Sequence, residues 1–375
     1  MYLDDTVLDN KTALETIDQG NMLECVASSG AQLRRGVQLI NKDALEQIAV
    51  GGKPRAIVVA GMGGSGVSGE ILSAVVGSSS PLPIIVEKSH TLPGWVSPLD
   101  LVIAVSCSGS TEETLSVASE ASRRGSRLVT VGAAGSPISQ ISEQTTGAIH
   151  LDIDAQGRMP RASLWTIATP LLLLADAIGV TEISDDVLAQ TADLMDAISV
   201  ACGPSVSVIE NPAKLHGVAM AESVPMVWGT GNIGRASAGR LMAQLAENAK
   251  LPAVHGELPE VGHNQIVSFD GVFATKPADD IFEDPENRTK RIHLTLLRDS
   301  AEHPAVVRRV ELVRDITARR ELAVTEITSQ GTHPLTRIAS LVVPTDWASV
   351  YAALAMGIDP SPIGPIVELK NGLSQ

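Results

Sequence analysis

The feature that most constrains the fold of this chain is an internal repeat. The segment VPMVWGTGNIGRASAGRLMAQLA (224–246) follows the same plan as RAIVVAGMGGSGVSGEILSAVV (55–76). Each copy holds an apolar strand, a glycine turn and a helix rich in small residues, with Gly61 and Gly229 as the matching first glycines. Strands that alternate with helices predict a parallel sheet with helices on both faces. The sequence therefore predicts an α/β chain in which one αβα sandwich unit is used twice.

Segments on either side of each copy complete the two units. In the first half we expect strands at 55–61, 81–89, 100–108 and 127–134, helices at 69–76 and 112–125, and a leading helix at 22–40. In the second half we expect strands at 250–259, 291–299 and 322–331, and an exposed insertion loop at 275–290. With a junction near 181–200, the two subdomains are expected to comprise residues 1–185 and 186–375.

Composition limits the partners that such a chain can have. Hydrophobic residues make up 44% of it and aromatic residues 2%, so the core must be aliphatic. The net charge of −15 argues against nucleic acid or an anionic membrane as the main partner, because both bind basic surfaces. An anionic small molecule stays possible, since a site can be locally positive.

The expected location is the cytoplasm. Cys25, Cys107 and Cys202 are far apart and odd in number, which suits a reducing compartment without a disulfide framework. The acidic N-terminus has no apolar signal region. The apolar run at 167–180 is interrupted by Pro170 and Asp176, and it therefore indicates a buried helix rather than a membrane span.

The two glycine turns leave two interpretations open. Gly61, Gly63 and Gly66 have the G-x-G-x-x-G spacing between a strand and a helix, and so does the second copy from Gly229 onwards. This spacing is compatible with a dinucleotide cofactor, for which Glu87 lies at the end of the next strand. The other interpretation is a tight turn that feeds a strand into a helix.

A cluster of hydroxyl groups favours phosphate binding. The segment Ser-Cys-Ser-Gly-Ser-Thr (106–111), here named the hydroxyl loop, follows an apolar strand and opens a helix. Several hydroxyls in front of exposed helix N–H groups form a cradle for a phosphate dianion, which the helix dipole also attracts. Ordinary N-capping of the helix is the alternative explanation, although a cap needs one hydroxyl.

With these motifs in order, the sequence resembles sugar isomerase (SIS) domains, and in particular the bifunctional phosphoglucose/phosphomannose isomerases. The motifs that carry the resemblance are GMGGSGVSGE (61–70), SCSGSTEETL (106–115), GRMPRASL (157–164), ENAKLPA with ELPEVGHNQI (247–266), and the tail DWASVYAALAMGIDPSPIGPIVELKNGL (346–373). The resemblance covers nearly the whole chain. It implies two flavodoxin-like SIS subdomains with parallel sheets.

The resemblance also implies a role for individual residues. Gly63, Gly64 and Ser65 would line the sugar, and Ser106, Ser108 and Thr111 would hold the phosphate. Arg161 would face the reacting carbons, Glu247 would be the base, and His263 and Lys370 would help to open the sugar ring. In this family the histidine comes from the partner subunit, so a homodimer is expected, with no metal and no cofactor.

Four residues depart from the family pattern. Cys107 stands where the family has Tyr, and Ser110 stands where it has Asn. Trp165 replaces a usual Gly, and Ile363 lies seven residues before Lys370, where related isomerases tend to have a polar residue. The implied catalytic set is intact, but the preferred epimer and the rate of turnover are open.

Aldose–ketose isomerisation suits these side chains. The reaction moves a proton between C2 and C1 through an enediolate, so it needs a base that reaches both carbons, such as Glu247. His263 can exchange a proton near neutral pH, and Arg161 can stabilise an oxyanion. Each residue also has a structural alternative: an exposed helix-end glutamate, a surface histidine and a surface arginine. Lys370 could likewise be a solvated helix residue.

Three hypotheses follow from the sequence. The preferred one is an isomerase that interconverts glucose 6-phosphate, mannose 6-phosphate or both with fructose 6-phosphate. A non-catalytic SIS protein that binds a phosphosugar is the alternative from another class, and a dinucleotide oxidoreductase is the third. A metal site formed by His255, Glu257 and Glu260 is disfavoured, because Pro252 and Pro259 prevent a helix that would align such ligands.

Overall fold

The computed structural model describes residues 5–274 and 290–373. The chain forms two compact units. The five-stranded unit consists of Ser28–Asp196 and Gly331–Ala339, and the four-stranded unit consists of the chain up to Ala27, Ala197–Gln330 and Ser340–Gln375. The predicted α/β class with two parallel-sheet units is confirmed. All of the expected insertion loop except Lys290 lies outside the described residues.

The elements alternate as the sequence predicts. The strands are β1 Ile57–Ala60, β2 Ile84–Glu87, β3 Leu101–Ser106, β4 Arg127–Gly132, β5 Ile149–Asp152, β6 Val224–Thr230, β7 Val254–Leu258, β8 Ile292–Arg298 and β9 Ala323–Thr328. The α-helices are α1 Lys11–Ile17, α2 Met22–Ala27, α3 Ser29–Leu39, α4 Lys42–Val50, α5 Gly64–Val76, α6 Glu112–Arg124, α7 Pro137–Gln144, α8 Leu164–Ala177, α9 Asp185–Ala201, α10 Pro212–Ala221, α11 Gly231–Asn248, α12 Pro304–Arg319, α13 Pro334–Ala355 and α14 Gly364–Leu373.

The sheet of the five-stranded unit has helices on both faces. Its strands lie in the order β2-β1-β3-β4-β5, all parallel. Alternate residues of β1 face opposite ways, as strand geometry requires. Val58 packs into a core with Val102 and with Val117 of α6, whereas Val59 faces α5, where a Cβ at Gly69 would meet its Cγ1. The buried hydrophobic strands therefore occupy the middle layer of a three-layer unit.

The four-stranded unit repeats this architecture. Its parallel strands lie in the order β7-β6-β8-β9, so β6 and β8 hold the positions that β1 and β3 hold in the other sheet. Leu294 and Leu296 of β8 pack with Val310 of α12 on one face. Thr295 faces the other way and contacts His216 of α10, with the Oγ1 and Nε2 atoms 2.8 Å apart. The repeat in the sequence is thus a repeat of the fold.

The expected leading helix at 22–40 is two helices, α2 and α3, separated at Ser28. Close packing at Gly30 accompanies this interruption. A Cβ at Gly30 would lie 2.7 Å from the carbonyl oxygen of Ala192, so the backbones of α3 and α9 lie close together. The bend also coincides with the boundary between the two units, which falls between Ala27 and Ser28.

Helix α13 is the core helix of the C-terminal region. Among the described residues it alone is long and apolar enough to cross a membrane by length and composition, but 94% of its apolar window is buried inside the protein. Burial of that kind is typical of a core helix in a globular protein. The shorter apolar helix α8 is also mostly buried. One such helix is weak evidence for a membrane span.

Candidate active site

The first glycine turn allows three chain segments to meet in the five-stranded unit. Strand β1 ends at Ala60, and Gly63 adopts a positive φ of 52° just before α5 begins. A Cβ at Gly64 would lie 2.7 Å from the carbonyl oxygen of Pro160, so glycine lets the segment before Arg161 lie directly against the turn. Ser65 is 4% exposed, and its Oγ accepts a hydrogen bond from the backbone N–H of Cys107.

The hydroxyl loop lies beside this turn, because β1 and β3 are neighbours in the parallel sheet. The chain leaves β1 towards β2 on one side and later enters β3 on the other, which makes this edge a switch point of the kind where α/β proteins bind ligands. The predicted residues Gly63, Gly64, Ser65, Ser106, Ser108, Thr111 and Arg161 all lie around this edge.

The hydroxyls of the loop are arranged in two layers. Ser106 is fully buried, and its Oγ donates to Thr111 Oγ1 at 2.9 Å and accepts from the Thr111 N–H at 3.3 Å. Ser108 and Ser110 are exposed, with their Oγ atoms 3.1 Å apart. The buried layer therefore fixes the loop, and the outer layer presents hydroxyls to solvent.

The start of α6 stays open to a ligand. Thr111 occupies the N-cap position with extended backbone but makes no side-chain capping bond to the first turn, because its hydroxyl pairs with Ser106. Helix N-terminal N–H groups and the helix dipole attract anions. The side chain of Thr111 therefore does not cap the first turn of α6.

The corresponding loop of the four-stranded unit has the opposite character. It follows β8, and it contains the carboxylates Asp299 and Glu302 and a single serine, Ser300. Glu302 accepts a hydrogen bond from the Thr230 hydroxyl at 2.6 Å, and α12 is capped by the side chain of His303 through the Ala305 N–H. Carboxylates at a capped helix repel an anion. Of the two equivalent loops, one is suited to phosphate.

Arg161 is a buried cation next to the first glycine turn. It is 2% exposed, it lies on the 3₁₀ turn Pro160–Ala162, and its Nη1 lies 2.9 Å from Met159 Sδ. A buried guanidinium keeps its charge, because arginine does not lose its proton in proteins. The surface alternative for Arg161 is therefore wrong, and the positive charge is held within the unit.

Glu247 lies in the last turn of α11, in the four-stranded unit. The residue is half-buried, and two helix neighbours are buried: Gln244 is 1% exposed, and the Nδ2 of fully buried Asn248 donates to Ser349 Oγ at 3.0 Å. Lys250 donates from Nζ to the backbone oxygen of Glu247 at 2.6 Å. The ammonium group thus compensates the negative end of the helix dipole, where Glu247 stands.

A buried ion pair anchors the middle of α11. Arg240 Nε and Nη2 donate to the two carboxylate oxygens of Asp346 on α13, each at 3.0 Å, and both side chains are almost completely buried. Burial raises the pKa of Asp346, and the charge of Arg240 opposes that rise. The pair joins the helix that carries Glu247 to the core helix of the same unit.

The other two predicted residues of this unit are on its surface. His263 ends the short 3₁₀ helix Glu260–His263 that follows β7, and its side chain is exposed. Lys370 is exposed on α14. Exposed apolar side chains share the segment of His263: Val254, Val267, Val272 and Phe273 are each between 46% and 75% exposed.

Glu257 is a half-buried carboxylate without a predicted catalytic role. It pairs in register with Gly229 at the second glycine turn, and Arg235 Nε lies 3.4 Å from its Oε2. Burial raises the pKa of Glu257, and Arg235 opposes the rise. Its position at the carboxyl end of β7 was the signal available in the sequence. In the part of the chain that the structure describes, no group of three His, Cys, Asp or Glu side chains could hold a metal ion.

Comparison with known proteins assigns each half of the chain to a family model. Residues 53–194 match the SIS domain, and residues 209–373 match the bacterial phospho-glucose isomerase C-terminal SIS domain. The two matched ranges correspond to the two copies of the repeat, and each includes one of the two glycine turns.

Curated relatives match over most of their length. The chain is 30% identical to the bifunctional phosphoglucose/phosphomannose isomerase of Caldicellulosiruptor bescii, over 85% of this chain and 89% of the relative. It is 28% identical to the protein of the same description from Aquifex aeolicus, over 86% and 91%. In fold it is similar to tagatose-6-phosphate ketose/aldose isomerase from Escherichia coli, with a TM-score of 0.65, 15% identity, and coverage of 92% and 96%.

Proposed function

Because the chain belongs to the family of bifunctional phosphoglucose/phosphomannose isomerases, we propose that this sugar-phosphate isomerase interconverts glucose 6-phosphate, mannose 6-phosphate or both with fructose 6-phosphate. The observation that carries the proposal is the hydroxyl loop, which presents Ser108 and Ser110 at the uncapped start of α6. A dianionic phosphate is the ligand that this arrangement suits best.

The phosphate is held by the hydroxyl loop. Ser108 and Thr111 donate to its oxygens together with first-turn N–H groups of α6, while buried Ser106 keeps Thr111 in position. Gly63 and Gly64 line the sugar: a Cβ at Gly63 would meet no described atom within 4 Å, and Gly64 lets the Pro160 segment lie against the turn. Ser65 holds the glycine turn against Cys107.

Glu247 is the base that moves the proton between C2 and C1 through an enediolate. Two hydrogen bonds support this role, because they fix the helix end at half-buried Glu247. Asn248 donates to Ser349, and Lys250 donates to the backbone oxygen of Glu247. The buried charge of Arg161 stabilises the negative charge that develops on the enediolate oxygens, as preorganised cations do.

His263 and Lys370 assist ring opening, and His263 acts in the site of the partner subunit of a homodimer. Its exposure supports this role, because a side chain that serves a second copy must be on the surface of its own. The neighbouring exposed apolar residues Val254, Val267 and Phe273 support an interface on this segment. All three cysteines are free thiols, which supports a reducing, cytoplasmic location.

A coupled assay with each hexose 6-phosphate tests the proposal. The purified protein should convert fructose 6-phosphate to glucose 6-phosphate, mannose 6-phosphate or both, equally well with and without a chelator, since no metal takes part. Calorimetric binding of fructose 6-phosphate without any turnover would replace the isomerase with the non-catalytic phosphosugar-binding protein. Loss of turnover on chelation would remove the metal-independent mechanism.

A further inference from the structure

A second arginine of the five-stranded unit has buried hydrogen-bond donors without partners. Arg158 donates from Nη1 to Gln156 Oε1 at 2.8 Å, but its Nε and Nη2 are buried and have no hydrogen-bond partner among the described residues. Arg35, by comparison, lacks a partner at Nε alone and pairs with Asp154 through Nη2. Arginine stays charged, and burying two of its donors unpaired is costly. The guanidinium of Arg158 therefore has the free donors that an anion would satisfy.

The backbone before Arg158 is built to hold it. The Arg158 N–H donates to the carbonyl oxygen of Ala155 at 2.9 Å, and the two residues between them both have positive φ, 51° at Gln156 and 76° at Gly157. Gln156 is an uncommon residue for this left-handed conformation, although Asp154 Oδ1 secures it by accepting its N–H. This tight turn fixes the backbone position from which the side chain of Arg158 extends.

Arg158 lies in the segment that meets the first glycine turn. Two residues after it, the Pro160 carbonyl oxygen lies against Gly64, and Ser65 in turn bonds to Cys107 of the hydroxyl loop. The electrostatics agree with this proximity. Burial raises the pKa of the Cys107 thiol to about 11, and the positive charge of Arg158 opposes the rise. The charge of Arg158 thus acts on the loop that cradles the phosphate.

We propose that Arg158 binds the phosphate group of the sugar phosphate through Nε and Nη2, beside the hydroxyls of the hydroxyl loop. This assignment rests on the proposed function for the identity of the anion. A guanidinium offers two parallel donors to two phosphate oxygens, which gives the strong, oriented contact that a lysine cannot reproduce. Because the phosphate does not react, Arg158 contributes to substrate affinity rather than to the chemical step.

The test compares the Arg158→Gln and Arg158→Lys variants with the native protein, using inorganic phosphate as the probe in calorimetry and fructose 6-phosphate in the assay. Arg158→Gln should raise the Kd for inorganic phosphate and the KM by roughly ten- to a hundredfold, the loss expected for hydrogen bonds to a charged group. The kcat should stay within a few-fold. Arg158→Lys keeps the charge without the paired donors and should show an intermediate loss.

Arg124→Gln is the matched control. Arg124 lies at the other end of α6, and its donors are satisfied by Pro93 O at 2.8 Å and Glu120 Oε1 at 2.6 Å, so its loss should leave phosphate affinity unchanged. A folded Arg158→Gln or Arg158→Lys protein with native affinity for inorganic phosphate would overturn the assignment of Arg158. If the native protein still turned over hexose phosphates, the proposed function would stand. If the native protein bound phosphate in an Arg158-dependent way but never turned over hexose phosphates, the assignment would stand and the isomerase proposal would fail.

Discussion

The hydroxyl of Ser65 accepts a hydrogen bond from the backbone N–H of Cys107, with the two atoms 3.2 Å apart. This bond joins the first glycine turn to the hydroxyl loop across the switch point of the sheet. Both residues are buried, so the N–H has no access to water if the hydroxyl is removed. The side chain of Ser65 therefore joins the first glycine turn to the hydroxyl loop.

Replacing Ser65 with alanine should weaken both stability and phosphate affinity. An unsatisfied buried N–H costs about 1–3 kcal/mol, and the hydroxyl loop loses its attachment to the turn. Urea denaturation and calorimetry with fructose 6-phosphate measure the two effects. Ser68→Ala is the control, because the Ser68 hydroxyl donates to the Ser65 carbonyl within α5 and does not contact the loop. Equal affinities in the two variants would contradict the linking role of Ser65.

Alanine at Ser108 and Thr111 should reduce affinity for sugar phosphates and leave the fold intact. Hydrogen bonds to a charged group contribute about 1.5–3 kcal/mol each, so the Kd should rise at least tenfold in calorimetry. The equivalent acidic loop offers a control at Ser300, whose N–H and hydroxyl pair with Ser329. Ser300→Ala should bind substrate normally. An unchanged Kd for the Ser108 and Thr111 variants would remove the phosphate site from this loop.

Mixing two inactive variants should restore activity if the active site is shared between subunits. Glu247→Gln and His263→Ala are each expected to be inactive as homodimers. After subunit exchange, a mixed dimer holds one site with both groups intact and one with neither, so part of the native rate should return. Exchange can be verified with differently tagged chains. A mixture that exchanges fully yet stays inactive would show that each subunit uses its own histidine.

Acid should destabilise the four-stranded unit through His216. Burial, with a smaller contribution from the neighbouring His293, lowers the pKa of His216 to about 3, so the folded protein keeps it neutral. The unfolded chain binds a proton near pH 6.5. The contribution of neutral His216 to the free energy of unfolding is therefore fully present above pH 6.5. It falls by about 1.4 kcal/mol per pH unit as the pH decreases towards 3.

Urea titrations between pH 7.5 and about 4 measure that slope. His216→Gln keeps a hydrogen-bonding group near Thr295 but cannot take up a proton, so its stability should depend less on pH than that of the native protein. His90→Gln, at an exposed histidine, is the control and should keep the native slope. Identical slopes for all three proteins would mean that His216 is not neutral in the folded state.

The fold was predictable because its central strands are buried. Residues 100–108 and 127–134 are continuous apolar runs that end at turn residues, and the structure has β3 and β4 there. Strand β5 was not predicted, since IHLD at 149–152 is short, half-polar and at the edge of the sheet. The break in the leading helix lies next to the close approach of α9 to Gly30, which is a tertiary contact without a local signal.

The site was predictable in kind but not in detail. The hydroxyl loop could be found from the spacing of its serines after a strand. Nothing in that spacing reveals that the Ser106 hydroxyl turns inward to Thr111, leaving the outer hydroxyls for a ligand. Arg158 gave no signal either, because its unpaired donors result from a turn at Gln156 and from burial against other segments.

The measurement that tests the isomerase mechanism most directly is the turnover and solvent exchange of Glu247→Gln. Glutamine keeps the size and hydrogen-bonding capacity of the side chain but cannot accept the C2 proton. Since general base catalysis contributes roughly 10²–10⁴-fold, kcat should fall at least a hundredfold while KM stays close to native. In deuterated water the native enzyme should label C2 of the aldose or C1 of the ketose, and the variant should not.

Glu311→Gln, an exposed glutamate on α12 of the same unit, controls for the loss of one negative charge and should keep the native rate. The proposed mechanism predicts that Glu247→Gln alone loses both turnover and label. A Glu247→Gln protein that turns over fructose 6-phosphate at a near-native kcat would contradict it and remove Glu247 as the base.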